Sequence, residues 1–177
     1  IYSGLYTIQH RGQESAGISV LKEGRINTHV GMGLVSDVFD NNLLDILNGN
    51  VGIGHVRYST TGDSSHENCS PFVEHKENII ISIGHNGDIV SLRKELLESN
   101  HEFKSTTDSE VICHLIIDEY NKSGDVVLAI QKTCSKLIGS YSLVILINGV
   151  LYAVRDPLGM KPLALGRSDE FLVIASE

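Results

Sequence analysis

Apolar and polar residues alternate between two rhythms along this chain, and the change of rhythm marks its elements. Ile1, Leu5 and Ile8 recur at helical spacing and predict a short N-terminal helix, with Gly12 placed to end it. Residues 16–21 and 25–30 flank Glu23-Gly24 and predict a hairpin. Residues 38–47 carry a weaker helical pattern. The short apolar runs 51–56 and 79–83 have the length of buried strands, and 89–99 predicts a helix with Asp88 as N-cap. Helices are expected over 108–120 and 125–137. Strands are expected over 140–147 and 150–155 around Asn148-Gly149, the strongest hairpin signal in the chain, and over 163–166 and 171–175. Strands, then helices, then strands predict an α+β fold with antiparallel sheets and the central helices layered on them.

The 177 residues are 41% hydrophobic with a mean hydropathy of +0.02. That is enough chain for one domain, 1–177, with a core of its own. Fourteen basic and 22 acidic side chains leave a net charge of −8. With no Lys/Arg cluster, nucleic acid is not an expected partner. No apolar run approaches the ~18 residues of a membrane span, and nothing resembles a signal peptide. Cys69, Cys113 and Cys134 lie far apart and form neither a zinc pattern nor a disulfide set, so reduced thiols and a cytoplasmic location are expected. No metal site is expected: His29, His66, His75, His101 and His114 lack ligand spacing.

Four polar, glycine-edged clusters stand out: Gln9 to Ile18 (QHRGQESAGI), Gly54 to Gly62 (GHVRYSTTG), His85 to Asp88 (HNGD) and Thr107 to Glu110 (TDSE). Each sits at the end of an apolar segment, as one site assembled from several element ends requires. Arg57 at a strand end offers a fork of donors suited to a carboxylate or phosphate. The Asn86 amide with the Gly87 N–H offers two donors to a developing oxyanion. Asp108 offers an anion to an ammonium. Arg57 and Asp108 together would recognise a free α-amino acid, with Asn86 and Gly87 acting on a carbonyl elsewhere in it. Each cluster also has a plain structural reading: RYSTTG as a polar turn, Asn86-Gly87 as a turn, Asp108 as a helix N-cap. Residues 155–162 (RDPLGMKP) read as a structural connection in which Arg155 and Asp156 pair. No attacking nucleophile is recognisable, because none of the three cysteines is tied by spacing to a base.

Taken in order, QHRGQESAGI, GLVSDVF at 33–39, GHVRYSTTG, HNGDI, TDSEVI and RDPLGMKPLALG resemble the glutaminase domain of the amidophosphoribosyltransferase family, over nearly the whole chain. The resemblance implies the N-terminal nucleophile hydrolase fold, a four-layer α-β-β-α sandwich of two antiparallel sheets. It implies that an N-terminal cysteine attacks the glutamine amide. The ammonia then passes to a phosphoribosyltransferase domain, displacing pyrophosphate from phosphoribosyl pyrophosphate in purine synthesis. Residue by residue, Arg57 with Thr60 resembles the carboxylate clamp, Asp108 the ammonium clamp, and Asn86 and Gly87 the oxyanion hole. Arg11 and His55 resemble supporting residues. The family forms homo-oligomers and uses Mg in its phosphoribosyltransferase domain, and some members carry an iron–sulfur cluster. This chain opens on Ile1 and shows neither that cysteine nor that second domain, so it is expected to be a domain truncated at both ends and unable alone to hydrolyse glutamine. Two alternatives stand beside this reading: a glutaminase domain like that of glucosamine-6-phosphate synthase, and a non-catalytic glutamine-binding regulator.

Overall fold

The computed structural model describes residues 1–58, 64–76 and 79–177. Helix α1 (Tyr2–Ile8) and a 3-10 turn (Gln9–Arg11) lead into strands β1 (Ser15–Lys22) and β2 (Arg25–Met32). Short helices α2 (Val35–Val38) and α3 (Asn41–Ile46) precede β3 (Val51–Arg57). A 3-10 turn (His66–Asn68) precedes β4 (Phe72–Lys76) and β5 (Ile79–Ile89). Helices α4 (Arg93–Glu98), α5 (Asp108–Ser123) and α6 (Val126–Cys134) follow. The chain closes with β6 (Gly139–Ile147), β7 (Val150–Arg155), β8 (Ala164–Arg167) and β9 (Leu172–Ala175).

All strand pairings are antiparallel, in one sheet of order β2-β1-β3, a second of order β4-β5-β6-β7, and the separate hairpin β8-β9. Two cores lie on the outer faces of the two sheets. On the first, Ala16, Ile18 and Val20, alternate residues of β1, meet Leu5, Val35, Phe39 and Leu47 from the helical side. On the second, Ile79, Ile81 and Ile83 of β5 and Leu143, Ile145 and Ile147 of β6 meet α5 and α6. Between the inner faces the Ser82 hydroxyl of β5 donates to the Ser19 Oγ of β1 at 2.8 Å, beside the buried Ile53 and Leu146 that stand opposite these serines in their sheets. The layers therefore run helix, sheet, sheet, helix, the α-β-β-α order that the resemblance implied. Covering on both faces explains why residues 16–21 of β1 and 79–83 of β5 include no charged side chain.

Both expected hairpins form, because Glu23-Gly24 and Asn148-Gly149 adopt positive φ at both central positions, the condition that a two-residue turn between twisted strands imposes. Four expectations need correction, and one strand, β4, was not foreseen. The helical pattern 38–47 is interrupted at Phe39 and Asp40, where the Asp40 carboxylate caps α3 by accepting from Leu43 N at 2.8 Å. The polar segment 72–76 is a strand, β4, whose Glu74 is held by Lys104 Nζ. β5 does not stop at Ile83 but continues through the HNGD cluster to Ile89. Asp88 is therefore a strand residue rather than a helix cap, and α4 begins only at Arg93. Arg155 and Asp156 do not grip each other: Arg155 donates to the carbonyls of Lys161 and Gly159, while Asp156 accepts from the N–H groups of Tyr141, Leu158 and Met160. Among the described residues no helix is long and apolar enough to cross a membrane.

Candidate active site

The candidate residues lie around the end of β5. Asn86 and Gly87 stand opposite Ser142 and Tyr141 of β6, so the Asn-Gly pair is extended chain and not a turn. β4 pairs with β5 only as far as Ile83, and residues 84–89 therefore keep one backbone edge outside that pairing. Asn86 Nδ2 is buried and has no hydrogen-bond partner among the described residues. A buried amide donor without an acceptor costs free energy, and such groups mark places where a ligand or water completes the bonding. Gly87 is fixed by sterics: a Cβ there would lie 2.1 Å from the Ser140 carbonyl oxygen and 2.9 Å from His85 Nε2.

Strand β3 delivers Arg57 from the opposite sheet. His55 Nε2 lies 3.0 Å from the His85 carbonyl, to which it donates, tying the Arg57 strand to the Asn86 strand. Burial, the largest influence, lowers the basicity of His55, aided by the nearby Arg57 charge. His55 is thus a neutral ring with its proton on Nε2. His85 is pushed down to about 4, first by burial and then by His55 and Lys161. Arg57 is 7% exposed, and its guanidinium donates through Nη1 to Glu14, which sets its orientation. Glu14 N in turn donates to the Arg57 carbonyl at 3.0 Å. Gly12 allows this approach, since a Cβ there would lie 2.6 Å from the Arg57 backbone. A cleft of about 370 Å³, lined by His10, Gly12, Gln13, Glu14 and Tyr58, opens beside the pair, within the size range of small-molecule sites.

Helix α5 brings Asp108. Thr107 is its N-cap and Asp108 its first residue, so the residue expected as a cap stands one place inside. Its carboxylate accepts from Ile89 N at 3.4 Å, three residues past Asn86 and about 10 Å along the strand. Burial raises the Asp108 carboxyl above its ordinary value, the Ile89 N–H opposes this, and the neighbouring Asp88 adds to it. A half-buried carboxylate strained in this way gains from an arriving ammonium. Arg57, Asn86 with Gly87, and Asp108 are thus joined through β5 by two hydrogen bonds, with His55 as one of the joints. Arg11 is directed elsewhere: its guanidinium pairs with Glu177 at 2.8 Å, beside His10 at 3.1 Å. Thr60 lies outside the described residues.

None of the three thiols is activated. Cys113 is buried in α5 and Cys134 lies in α6, and burial raises both. Cys69 is nearer Arg57, but burial raises it also, and its thiol is turned to Met32 Sδ at 3.4 Å. Among the described residues no group of three or more His, Cys, Asp and Glu side chains is arranged to hold a metal, and three dispersed cysteines do not fit a four-thiolate iron–sulfur cluster. The sequence reading missed Glu14, the partner of Arg57 from 43 residues away. Its one signal was an acidic residue inside the QHRGQE cluster.

A glutamine amidotransferase domain family matches residues 55–177, the span that contains Arg57, Asn86, Gly87 and Asp108. The chain belongs to the glutamine amidotransferase domain family. This amidotransferase domain is 55% identical to the amidophosphoribosyltransferase of Methanothermobacter thermautotrophicus and 51% identical to that of Methanocaldococcus jannaschii. Both matches cover 100% of this chain and 38% of the relative, so the chain spans about two fifths of the proteins it resembles. The glutamine phosphoribosylpyrophosphate amidotransferase of B. subtilis, solved with ADP and GMP, superposes with a TM-score of 0.89 at 34% identity, covering 99% of this chain and 38% of that one. A predicted glutamine amidotransferase from Pseudomonas aeruginosa superposes at a TM-score of 0.55 and 14% identity, a likeness of fold alone. The fold of the amidotransferase domain is the N-terminal nucleophile hydrolase sandwich.

Proposed function

We propose that this chain is the glutamine-binding half of an amidophosphoribosyltransferase, which releases ammonia from glutamine for transfer to phosphoribosyl pyrophosphate. The observation that carries the reading is the buried, unpartnered Asn86 Nδ2 beside Gly87. It stands on a strand bonded on one side to the Arg57 strand and on the other to Asp108. In this reading the α-carboxylate of glutamine lies on Arg57 and the α-ammonium on Asp108. The side-chain amide oxygen lies on Asn86 Nδ2 and the Gly87 N–H. As a thiolate adds to the amide carbon, charge collects on that oxygen, where two fixed donors await it at little cost of reorganisation.

The attacking thiolate is not Cys69, Cys113 or Cys134, each of which burial holds in the neutral form. Residues 1–177 therefore bind glutamine without hydrolysing it. Mg and any iron–sulfur cluster belong, by this reading, to the parent protein, as do homo-oligomer formation and a cytosolic location. The relatives named above favour this over a sugar-phosphate amidotransferase, and the intact set of Arg57, Asn86 and Asp108 favours a substrate site over a degenerate one.

Isothermal titration of the 177-residue chain with L-glutamine tests the reading. Saturable binding is expected, abolished by Arg57→Ala and by Asp108→Ala, with no ammonia released. No binding at millimolar glutamine would overturn the site assignment. Ammonia release on repeated turnover would overturn the statement about the thiols.

A further inference from the structure

The segment that carries Asp108 is built in an unusual way. Four consecutive backbone N–H groups, those of Lys104, Ser105, Thr106 and Thr107, donate to side chains. Lys104 N and Ser105 N donate to the Glu110 carboxylate, each at 2.7 Å. Thr107 N donates to Ser105 Oγ at 3.2 Å. These acceptors belong to the same segment. The Thr106 N–H instead reaches Asn68 Oδ1 at 2.9 Å, and Asn68 Nδ2 returns a bond to Thr106 Oγ1 at 2.9 Å. Asn68 is 38 residues away in sequence and 2% exposed. It closes the 3-10 turn of the connection that begins at Arg57, the end of β3. A two-bond ring therefore joins the segment leaving the carboxylate-binding residue to the segment entering the ammonium-binding residue.

We infer that Asn68 is a positioning residue for Asp108, setting the separation of the two clamps that measure the α-amino acid end of the substrate. The inference rests on the proposed glutamine site. Its physical basis is that a planar amide making one donated and one accepted bond to a single residue fixes both distance and twist, where one bond alone fixes only distance. Thr106 stands two residues before Asp108, close enough for a displaced loop to carry the carboxylate with it. Such a displacement weakens recognition of the ammonium and leaves the oxyanion donors on β5 in place. Asn68→Ala removes the two bonds to Thr106, whereas Thr106→Val removes only the hydroxyl, at an exposed residue where folding is little affected.

The test compares two ligands on the 177-residue chain: L-glutamine, and 4-carbamoylbutanoate, which is glutamine without its amino group. The unaltered chain is expected to prefer glutamine. Asn68→Ala is expected to cut that preference at least about fivefold, about the worth of one neutral hydrogen bond, with affinity for 4-carbamoylbutanoate unchanged. Thr106→Val is expected to shift it the same way by less, and Thr106→Ser to keep it. An equal loss for both ligands in both variants would mean a merely structural role and would overturn the inference. Amide hydrogen exchange in the ligand-free protein separates the two readings. Unchanged protection at Thr106 in Asn68→Ala overturns the role of Asn68 by itself. Failure of the unaltered chain to bind glutamine overturns the functional reading and the recognition role that rests on it.

Discussion

Glu110→Gln is the substitution whose cost this structure fixes best. Glu110 is wholly buried, yet its carboxylate is ionised. Burial alone would push the carboxyl up. The His114 ring and the donors of Lys104 and Ser105 outweigh burial and hold it at about 2 against an ordinary 4.5. The ring stands 3.9 Å away, while Lys104 N, Ser105 N and Ser105 Oγ each donate to the carboxylate at 2.7 Å. A tenfold change in proton affinity is about 1.4 kcal/mol, so the displacement corresponds to roughly 3 kcal/mol of stability at neutral pH. Counting bonds gives the same order. A glutamine has one acceptor oxygen, so its NH2 faces a backbone N–H, and an orphaned buried donor costs about 1–3 kcal/mol beyond the lost charge-assisted bonds. The folded-state value is depressed, so the stabilisation is complete above about pH 4.5 and fades as pH falls toward 2. Urea unfolding followed by circular dichroism between pH 7 and pH 3.5 should show Glu110→Gln about 3 kcal/mol less stable at pH 7, with the gap narrowing in acid. A gap below about 1 kcal/mol at pH 7, or one that does not change with pH, would refute the reasoning.

Asn86→Ala should leave the melting temperature unchanged or raise it, because the amide it removes has no described partner; calorimetry checks this. In a longer protein carrying the attacking cysteine, the same change should cut glutamine hydrolysis by about 10²–10³, measured as ammonia release. Gly87→Ala should fail to fold, or lose at least about 3 kcal/mol in denaturant titration, since its Cβ would collide with the Ser140 carbonyl at 2.1 Å. Asp108→Asn should bind no glutamine in calorimetric titration but melt higher at pH 7, because the native fold raises this carboxyl and so disfavours its ionised form. For the same reason, glutamine affinity of the unaltered chain should fall on acidification sooner than an ordinary aspartate would require.

Local chemistry made part of this molecule readable. Asn148-Gly149 and Glu23-Gly24 declare their hairpins because the turn itself demands those residues. Arg57 and Asp108 declare themselves because a strand end and a helix start are visible in the apolar rhythm. The HNGD segment misleads for the same reason. Asn-Gly and a capping Asp are turn and helix signals locally, and only pairing with β6 many residues later holds them extended. β4 hides because the partner that settles its Glu74, Lys104, is 30 residues away. Arg57–Glu14 and Asn68–Thr106 are long-range pairs of this kind, with nothing in the local sequence to announce them. The two tethers that gather the site, His55 to the His85 carbonyl and Asp108 to the Ile89 N–H, both end on backbone atoms, which every residue possesses and no sequence pattern marks.

The most direct measurement is a crystal structure of the 177-residue chain with L-glutamine bound. The α-carboxylate is expected on the Arg57 guanidinium and the ammonium on Asp108, with the side-chain amide oxygen within hydrogen-bond distance of both Asn86 Nδ2 and the Gly87 N–H. Glutamine bound with its amide oxygen away from Asn86, or with Arg57 and Asp108 not contacting its two ends, would contradict the site assignment.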